Sequence, residues 1–427
     1  MGTVDKAVKI GYIRHMNILF AHNNFPGQFH RLSAELAADT ANKVVFLSQY
    51  RRGDINAPGV IWRQVPALPK EEGKNSPRNK YLDLLGRGEV FGDAMVKLRK
   101  EGFIPDVIYG HVGFGCCLYA PDIFLDAAHV SYFEWYYTNR ADTEFLAQGH
   151  PISLNTRAEN RQSNMCILMA LKEAHIGVCP TQWQRDQHPR EYWHKLQILH
   201  EGVDTHYFTP AAPVRGLHLH DLELPDGAEV FTYATRGLEP YRGFPTFYRS
   251  LPAILEARPN AHAVIMANDR ISYGNKRKDG KTWKGVMEDE VKLTPEQAQR
   301  VHFLPFQSYG EYRKLLQASA CHVYLTVPFV LSWSMLEAMS CGCVVVASDT
   351  EPVREVLRHE ANGILTPFWD HKQLAARVVD VLAHPAEYAP LRAKARRTIE
   401  AHYNLDQLLP RQVAMIKAAP QVARMGR

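Results

Sequence analysis

"PFVLSWSMLEAMSCGCVVVASDT" (residues 328–350) opens apolar, passes through a Ser/Trp run, holds a single carboxylate, Glu337, stops at Gly342 and closes on β-prone residues. Met335, Leu336, Ala338 and Met339 recur at helical spacing, so a helix is predicted from about Ser334. Ser332 or Ser334 would be its N-cap, Glu337 would lie in its first turn, and Gly342 would be its C-terminal stop. A strand at Val323–Thr326 precedes it and another, Cys343–Ala347, follows. Strand, helix, strand in that order is the repeating unit of a parallel sheet. The start of such a helix offers unpaired N–H groups and partial positive charge, which suit a phosphate or diphosphate. A carboxylate one turn further can accept two hydrogen bonds from the vicinal hydroxyls of a ribose. Read alone, Glu337 is more simply an acid that complements the helix dipole.

The same alternation runs through the chain on both sides. Upstream, strands are predicted at Ile18–Ala21, Val44–Leu47, Val107–Gly110, Val130–Phe133, Ile176–Cys179 and Ile198–His200. Val230–Ala234, Ala263–Ala267, His302–Leu304 and Ile364–Thr366 complete the second half. The fold class is therefore α/β, with two doubly wound domains, since 427 residues exceed one ordinary core. "FTPAAPVRG" (208–216), with three prolines, marks the junction. Residues 1–15 carry scattered charge and precede the first strand, so they are set aside as an extension or tag, leaving domains at 16–209 and 210–400 and a terminal helical segment at 401–427. Sheets of this type bind ligands at the carboxyl ends of their strands, which places the expected site in the cleft between the domains.

"YATRGLEPYRGF" (233–244) follows the first strand of the second half and sets Arg236 and Arg242 on one turn that also carries Gly237 and Gly243. Two guanidinium groups beside a helix start neutralise the charge that grows on a departing diphosphate. Either arginine alone reads as a surface residue. Together with the Glu337 helix in the same domain they favour a nucleotide-diphosphate site.

At these residues the chain resembles the retaining glycosyltransferases of family 4, which have the GT-B fold of two Rossmann-like domains facing a central cleft. Arg236 and Arg242-Gly243 match that family's diphosphate-holding turn, and Glu337-Ala338-Met339-Ser340-Cys341-Gly342 matches the second half of its Glu-x7-Glu signature. "MNILFAHNNFPGQFHRLSAEL" is similar to the family's opening strand and glycine loop, "ILHEGVDTHYFTP" to the segment before its second domain, and "NGILTPFWDHKQLAARVVDVL" to a later strand and helix. The resemblance implies donor binding by Gly27, Gly243, Glu337 and the amides of Trp333 and Ser334, with no metal and no cofactor beyond the nucleotide-diphosphate sugar itself. It also implies a final helix that crosses back onto the first domain. Two positions depart from the pattern. Phe329 stands where the family carries its first Glu, and an aromatic ring cannot accept bonds from sugar hydroxyls. Glu134, in "SYFEWYYTN", falls near the family's histidine; it could bind a sugar hydroxyl or stabilise positive charge at the anomeric carbon, or equally pair with Arg140 in a structural network.

Further candidates lie at strand ends of the first domain: His22 and Asn23 after the first strand, and His111 in "YGHVGFG", any of which could contact the acceptor, with a turn or a plain helix start as the simpler readings. The chain has no Asp-x-Asp pair, no G-x-S-x-G elbow and no phosphate loop ending in Gly-Lys-Ser/Thr. The His-rich "RDQHPREYWHKLQILH" lacks metal-ligand spacing. Seven cysteines without a C-x-x-C pair read as buried thiols of a reducing compartment. A net charge of +5 with interleaved acids disfavours nucleic acid as the partner; Lys70, Lys74, Arg78, Lys80, Lys97, Arg99 and Lys100 could form a basic face towards an anionic surface such as a membrane, with a solvated helix face as the simpler reading.

The expected function is transfer of a sugar from a nucleotide-diphosphate donor to a saccharide, lipid-linked or small-molecule acceptor, in envelope polysaccharide or glycoconjugate synthesis in the cytoplasm. Arg236, Arg242 and Glu134 are its expected catalytic residues. The alternatives are a sugar-nucleotide epimerase or phosphorylase, and a non-catalytic nucleotide-sugar-binding protein of the same fold.

Overall fold

The computed structural model describes residues 15–51, 55–68, 77–211, 216–274 and 276–426. Most of the N-terminal extension, Lys70 and Lys74, and residues 212–215 of the predicted junction lie outside them. The first sheet consists of β1 (Asn17–Ala21), β2 (Lys43–Ser48), β3 (Ile61–Gln64), β4 (Val107–His111), β5 (Ala128–Tyr132), β6 (Ile176–Cys179) and β7 (Leu196–Ile198), all parallel, in the order β3-β2-β1-β4-β5-β6-β7. The second consists of β8 (Glu229–Gly237), β9 (Ala261–Asn268), β10 (Val301–Leu304), β11 (Cys321–Tyr324), β12 (Val344–Ser348) and β13 (Ile364–Thr366), also parallel, in the order β10-β9-β8-β11-β12-β13. Both sheets thus reverse winding direction beside their first strand, and the crevice at that switch point is where a doubly wound sheet receives its ligand.

The central strands are apolar along their whole length because helices cover both faces. Ile18, Leu19 and Phe20 are buried in β1, as are Val344, Val345 and Val346 in β12. Helix α1 (His30–Ala38) buries Leu32 and Leu36 on the first sheet, and α2 (Phe244–Ala257) buries Phe247, Leu251 and Ile254 on the second. The last helix, α4 (Leu405–Met425), returns to the first domain, where Leu408, Met415, Ile416 and Ala419 join the core formed by Ile18, Phe20 and Phe46. All seven cysteines are free, six of them buried.

Some expectations require correction. α3 (Trp333–Ser340) is capped by Ser332, whose hydroxyl accepts from the Ser334 amide, so Glu337 falls in the second turn rather than the first. Gly342 follows it with φ +78°, the conformation of a helix stop. The strand expected at Ile198–His200 ends two residues earlier, because His200 turns its Nδ1 back to accept from the Gly202 amide. The strand expected at Val323–Thr326 ends at Tyr324, since the Thr326 hydroxyl is engaged by Arg242 and by the Val327 carbonyl. The half-exposed edge strand β3 and the hairpin Leu217–Leu219/Leu222–Leu224 carried too short a pattern to be read.

Candidate active site

Three adjacent strands of the first sheet deliver one cluster to its carboxyl edge. His22 follows β1, His111 ends β4 and Glu134 lies just beyond β5. His111 Nε2 is 3.3 Å from Glu134 Oε2, and Gln28 donates to Oε1 at 3.0 Å. The His22 and His111 rings meet edge to face at 5.1 Å. Burial alone would push the Glu134 carboxyl up; the bond to and charge of His111, with Arg236 and His22, outweigh it and hold the group at about 2. Burial, reinforced by His111, drives His22 down to about 3, so its ring is neutral at pH 7. The cluster is therefore a fixed carboxylate flanked by two imidazoles, and no pairing of Glu134 with Arg140 occurs.

Arg236 reaches this cluster from the other domain. It lies at the end of β8, is exposed, and makes no ion pair or hydrogen bond among the described residues, yet its charge acts on both Glu134 and His22. Arg242 is its opposite. Only 4% exposed, it donates through Nη1 to Thr326 Oγ1 at 2.7 Å, to the Val330 carbonyl at 3.0 Å and to Tyr324 Oη at 3.3 Å. The same Tyr324 hydroxyl accepts from the Ser332 amide at 2.8 Å, so Arg242 and the cap of α3 share one bridging group. Gly243 has φ +67°, and a Cβ there would lie 2.5 Å from Leu325 Cβ, so only glycine lets the turn close and α2 begin. The turn and two helix starts thus converge on one locus, as a diphosphate requires.

A segment of the first domain spans the cleft beside this locus. Trp135 packs on Phe329 with ring centroids 4.8 Å apart, the Tyr241 hydroxyl donates to Asp142 Oδ2 at 2.8 Å, and Phe145 stacks on Trp369 at 5.7 Å. Trp135 and Ala141 belong to the apolar core of the second domain. A second bridge runs through Glu201, which accepts from the Trp333 indole at 3.1 Å and from the Tyr132 hydroxyl.

The remaining predicted residues divide between the two sides of the cleft. Glu337 is 8% exposed and faces Tyr312; burial raises it to about 7, and the Tyr312 hydroxyl draws it partly back. Trp333 opens α3, and Ser334 is buried in its first turn. Gly27 has φ +54°, and a Cβ there would meet the His22 ring at 2.6 Å, which requires glycine whatever the ligand. Asn23 uses its carbonyl for the Gln49 and Tyr50 amides, a turn role. Sequence reasoning misses Glu201, Gln28, Trp135, Asp142 and Tyr324: the first three stand in the stretches that carry the family resemblance and Tyr324 in a predicted strand, whereas Asp142 has no local signal at all. Among the described residues no three His, Cys, Asp or Glu gather as metal ligands, and no helix is long and apolar enough to cross a membrane.

Two Rossmann-like domains, each with a doubly wound parallel sheet, are the architecture of a glycosyltransferase of the GT-B kind. Residues 40–208 match the glycosyl transferase family 4 group and residues 218–399 match glycosyl transferases group 1. The chain belongs to the family 4 glycosyltransferases. It is 24% identical over 237 residues to a GDP-mannose-dependent monoacylated alpha-(1-6)-phosphatidylinositol monomannoside mannosyltransferase of Corynebacterium glutamicum, a match covering 53% of this chain and 57% of that one. Among solved structures it is similar to Anabaena Alr3699/HepE in complex with UDP-glucose (TM-score 0.67, 15% identity, 94% of this chain and 98% of that one). Sucrose-phosphate synthase from Thermosynechococcus elongatus gives a TM-score of 0.70 at 17% identity, with 94% and 98% covered. At these identities the likeness is one of fold.

Proposed function

We propose that the protein transfers a sugar, with retention of anomeric configuration, from a nucleotide-diphosphate donor held by the second domain to an acceptor held against the first. The observation that carries this reading is Arg236, an unpaired guanidinium of the second domain whose charge acts on Glu134 and His22 of the first. A sugar diphosphate set between them has its anionic end at Arg236 and the starts of α2 and α3, and its anomeric carbon toward the Glu134 carboxylate. As the bond to the diphosphate lengthens, Arg236 stabilises the growing negative charge and Glu134 the positive charge at carbon. The leaving phosphate oxygen takes the proton of the acceptor hydroxyl as the new bond forms on the same face, so no covalent enzyme intermediate is formed. Glu337 receives the ribose hydroxyls, and His22, Asn23 and His111 flank the acceptor.

Guanidinium and backbone donors take the place of a divalent metal in this scheme. The name of the Corynebacterium relative makes GDP-mannose the first donor to try. The same name, that of an enzyme acting on a phosphatidylinositol monomannoside, motivates a lipid-linked acceptor as the first to try; a place at the cytoplasmic face of a membrane, in envelope glycoconjugate assembly, is part of our proposal. The test is calorimetric titration with GDP, GDP-mannose, UDP and UDP-glucose, with and without EDTA, followed by NMR assignment of the product's anomeric configuration. Binding of a nucleotide sugar and an inverted product would refute retention, and binding without transfer to any acceptor extract would favour a non-catalytic role.

A further inference from the structure

Building on the donor site just proposed, we infer that the transferred sugar is read by the cleft-spanning segment of the first domain, through the indole N–H of Trp135, instead of by a carboxylate on the second. Whatever is joined to a diphosphate held at Arg236 and the starts of α2 and α3 must lie beside the turn that also carries Arg242. The side chains found there are aromatic: the Arg242 guanidinium is 5.0 Å from the Tyr273 ring centroid and 6.0 Å from that of Phe329. Phe329 is in turn ringed by Trp135 at 4.8 Å, Tyr273 at 5.2 Å and Tyr241 at 5.4 Å. Ring faces of this kind suit the C–H face of a pyranose, and Phe329 itself accepts no hydroxyl proton.

Within that wall one polar atom lacks a partner. Trp135 is 5% exposed, and its buried Nε1 makes no hydrogen bond. A buried donor left unpaired is unfavourable, and an oxygen of a bound ligand is one group that completes it. The segment bearing the indole is held in place, since the Tyr241 hydroxyl binds Asp142 across the cleft at 2.8 Å and Phe145 stacks on Trp369. Trp135 also follows Glu134 directly, so an oxygen of the sugar bonded to the indole would keep the ring in register with the carboxylate that faces its anomeric carbon. The wall therefore selects a neutral hexosyl group: one N–H for one sugar oxygen, and ring faces, which repel anions, against its carbon skeleton.

The experiment compares the affinities of GDP and GDP-mannose, and of UDP and UDP-glucose, in wild type and in Trp135→Phe, which keeps a ring against Phe329 and removes the N–H. The sugar's contribution is the ratio of the two affinities. We expect that ratio to fall about tenfold in the variant while nucleoside diphosphate affinity is unchanged. An unchanged ratio overturns the inference and leaves the donor reading intact. Failure of wild type to bind any of the four overturns the donor reading and this inference with it. If Trp135→Phe also loses nucleoside diphosphate binding, Tyr241→Phe decides, because it leaves the indole in place and unties its segment at Asp142: a lowered ratio supports the assignment and an unchanged one overturns it.

Discussion

The two edges of the cleft are built on sheets of the same winding, yet they carry opposite chemistry. On the first domain the charged group is immobilised: Glu134 is held by Gln28 and His111 and ringed by His22 and Arg236. On the second, the two arginines of one turn have parted roles. Arg242 is consumed by three protein acceptors, whereas Arg236 has none among the described residues. A preorganised carboxylate on one side and an uncommitted cation on the other is the division of labour expected of a site that separates charge. The fixed group needs no rearrangement when charge develops, and the free one is available to an incoming anion.

The sharpest way to break this comparison is to neutralise the fixed group. Glu134→Gln retains the shape and the Gln28 contact region but removes the charge that the proposed reaction sets against the anomeric carbon; on that proposal turnover should fall by about 100-fold or more, with nucleoside diphosphate affinity little changed. A variant with wild-type kcat would show that Glu134 serves only to tie His111. Arg242→Ala comes next and acts chiefly on the fold. It leaves the Val330 carbonyl without its partner, removes the donor to the Thr326 hydroxyl and breaks the bridge through Tyr324 to the cap of α3, so we expect a loss of about 3 kcal/mol in chemical denaturation, together with weakened nucleotide binding. Three buried bonds argue for a loss of both stability and activity. Arg236→Ala is the complement: nucleoside diphosphate affinity about tenfold weaker in calorimetry and an unshifted melting temperature, since an exposed, unpaired guanidinium contributes little to the native state. Equal thermal shifts for the two arginine variants would erase the distinction drawn here.

What could be read from the sequence follows physical range. Strands buried on both faces, such as β1 and β12, are near-continuous apolar runs and announce themselves, as do the stop at Gly342 and the turn containing Gly243, where a left-handed backbone admits little else. The doubly wound class of both halves was likewise legible from the alternation of strands and helices, whereas the arginine turn and α3, joined by bonds 82 to 88 positions apart, were brought together by their matching chemistry and not by nearness in the chain. What escaped was every contact made across the cleft. Nothing local distinguishes Trp135 from a core tryptophan, Asp142 from a helix-start acid, or Glu201 from a loop residue; their partners Phe329, Tyr241 and Trp333 lie between 99 and 194 positions away in the chain, at separations no periodicity encodes. The same reason hid the difference between Arg236 and Arg242, six residues apart on one turn, of which one is exposed and the other buried.

The finest test concerns pH and Glu337. Its folded value of about 7 lies above the ordinary 4.5, so between those two pH values the native state keeps a proton that the unfolded chain has lost, and this residue makes stability decline as pH rises through that window. The full difference amounts to about 3 kcal/mol. His22 works in the opposite sense. Its folded value of about 3 lies below the ordinary 6.5, so the unfolded chain takes up a proton first, and stability falls as pH drops through that range; Glu134, held at about 2 against 4.5, adds to the loss at lower pH. If Glu337 receives the ribose hydroxyls, the ionised form is the better acceptor, and binding must draw off its proton. Nucleoside diphosphate affinity should then rise severalfold between pH 6 and 8 and level off above. Measured beside wild type in the same buffers, Glu337→Gln cancels the titration of the nucleotide's own phosphates and should lose the component that belongs to the carboxyl. If wild type and variant trace the same pH profile, Glu337 is no part of the nucleotide site, and its buried carboxyl answers only to Tyr312.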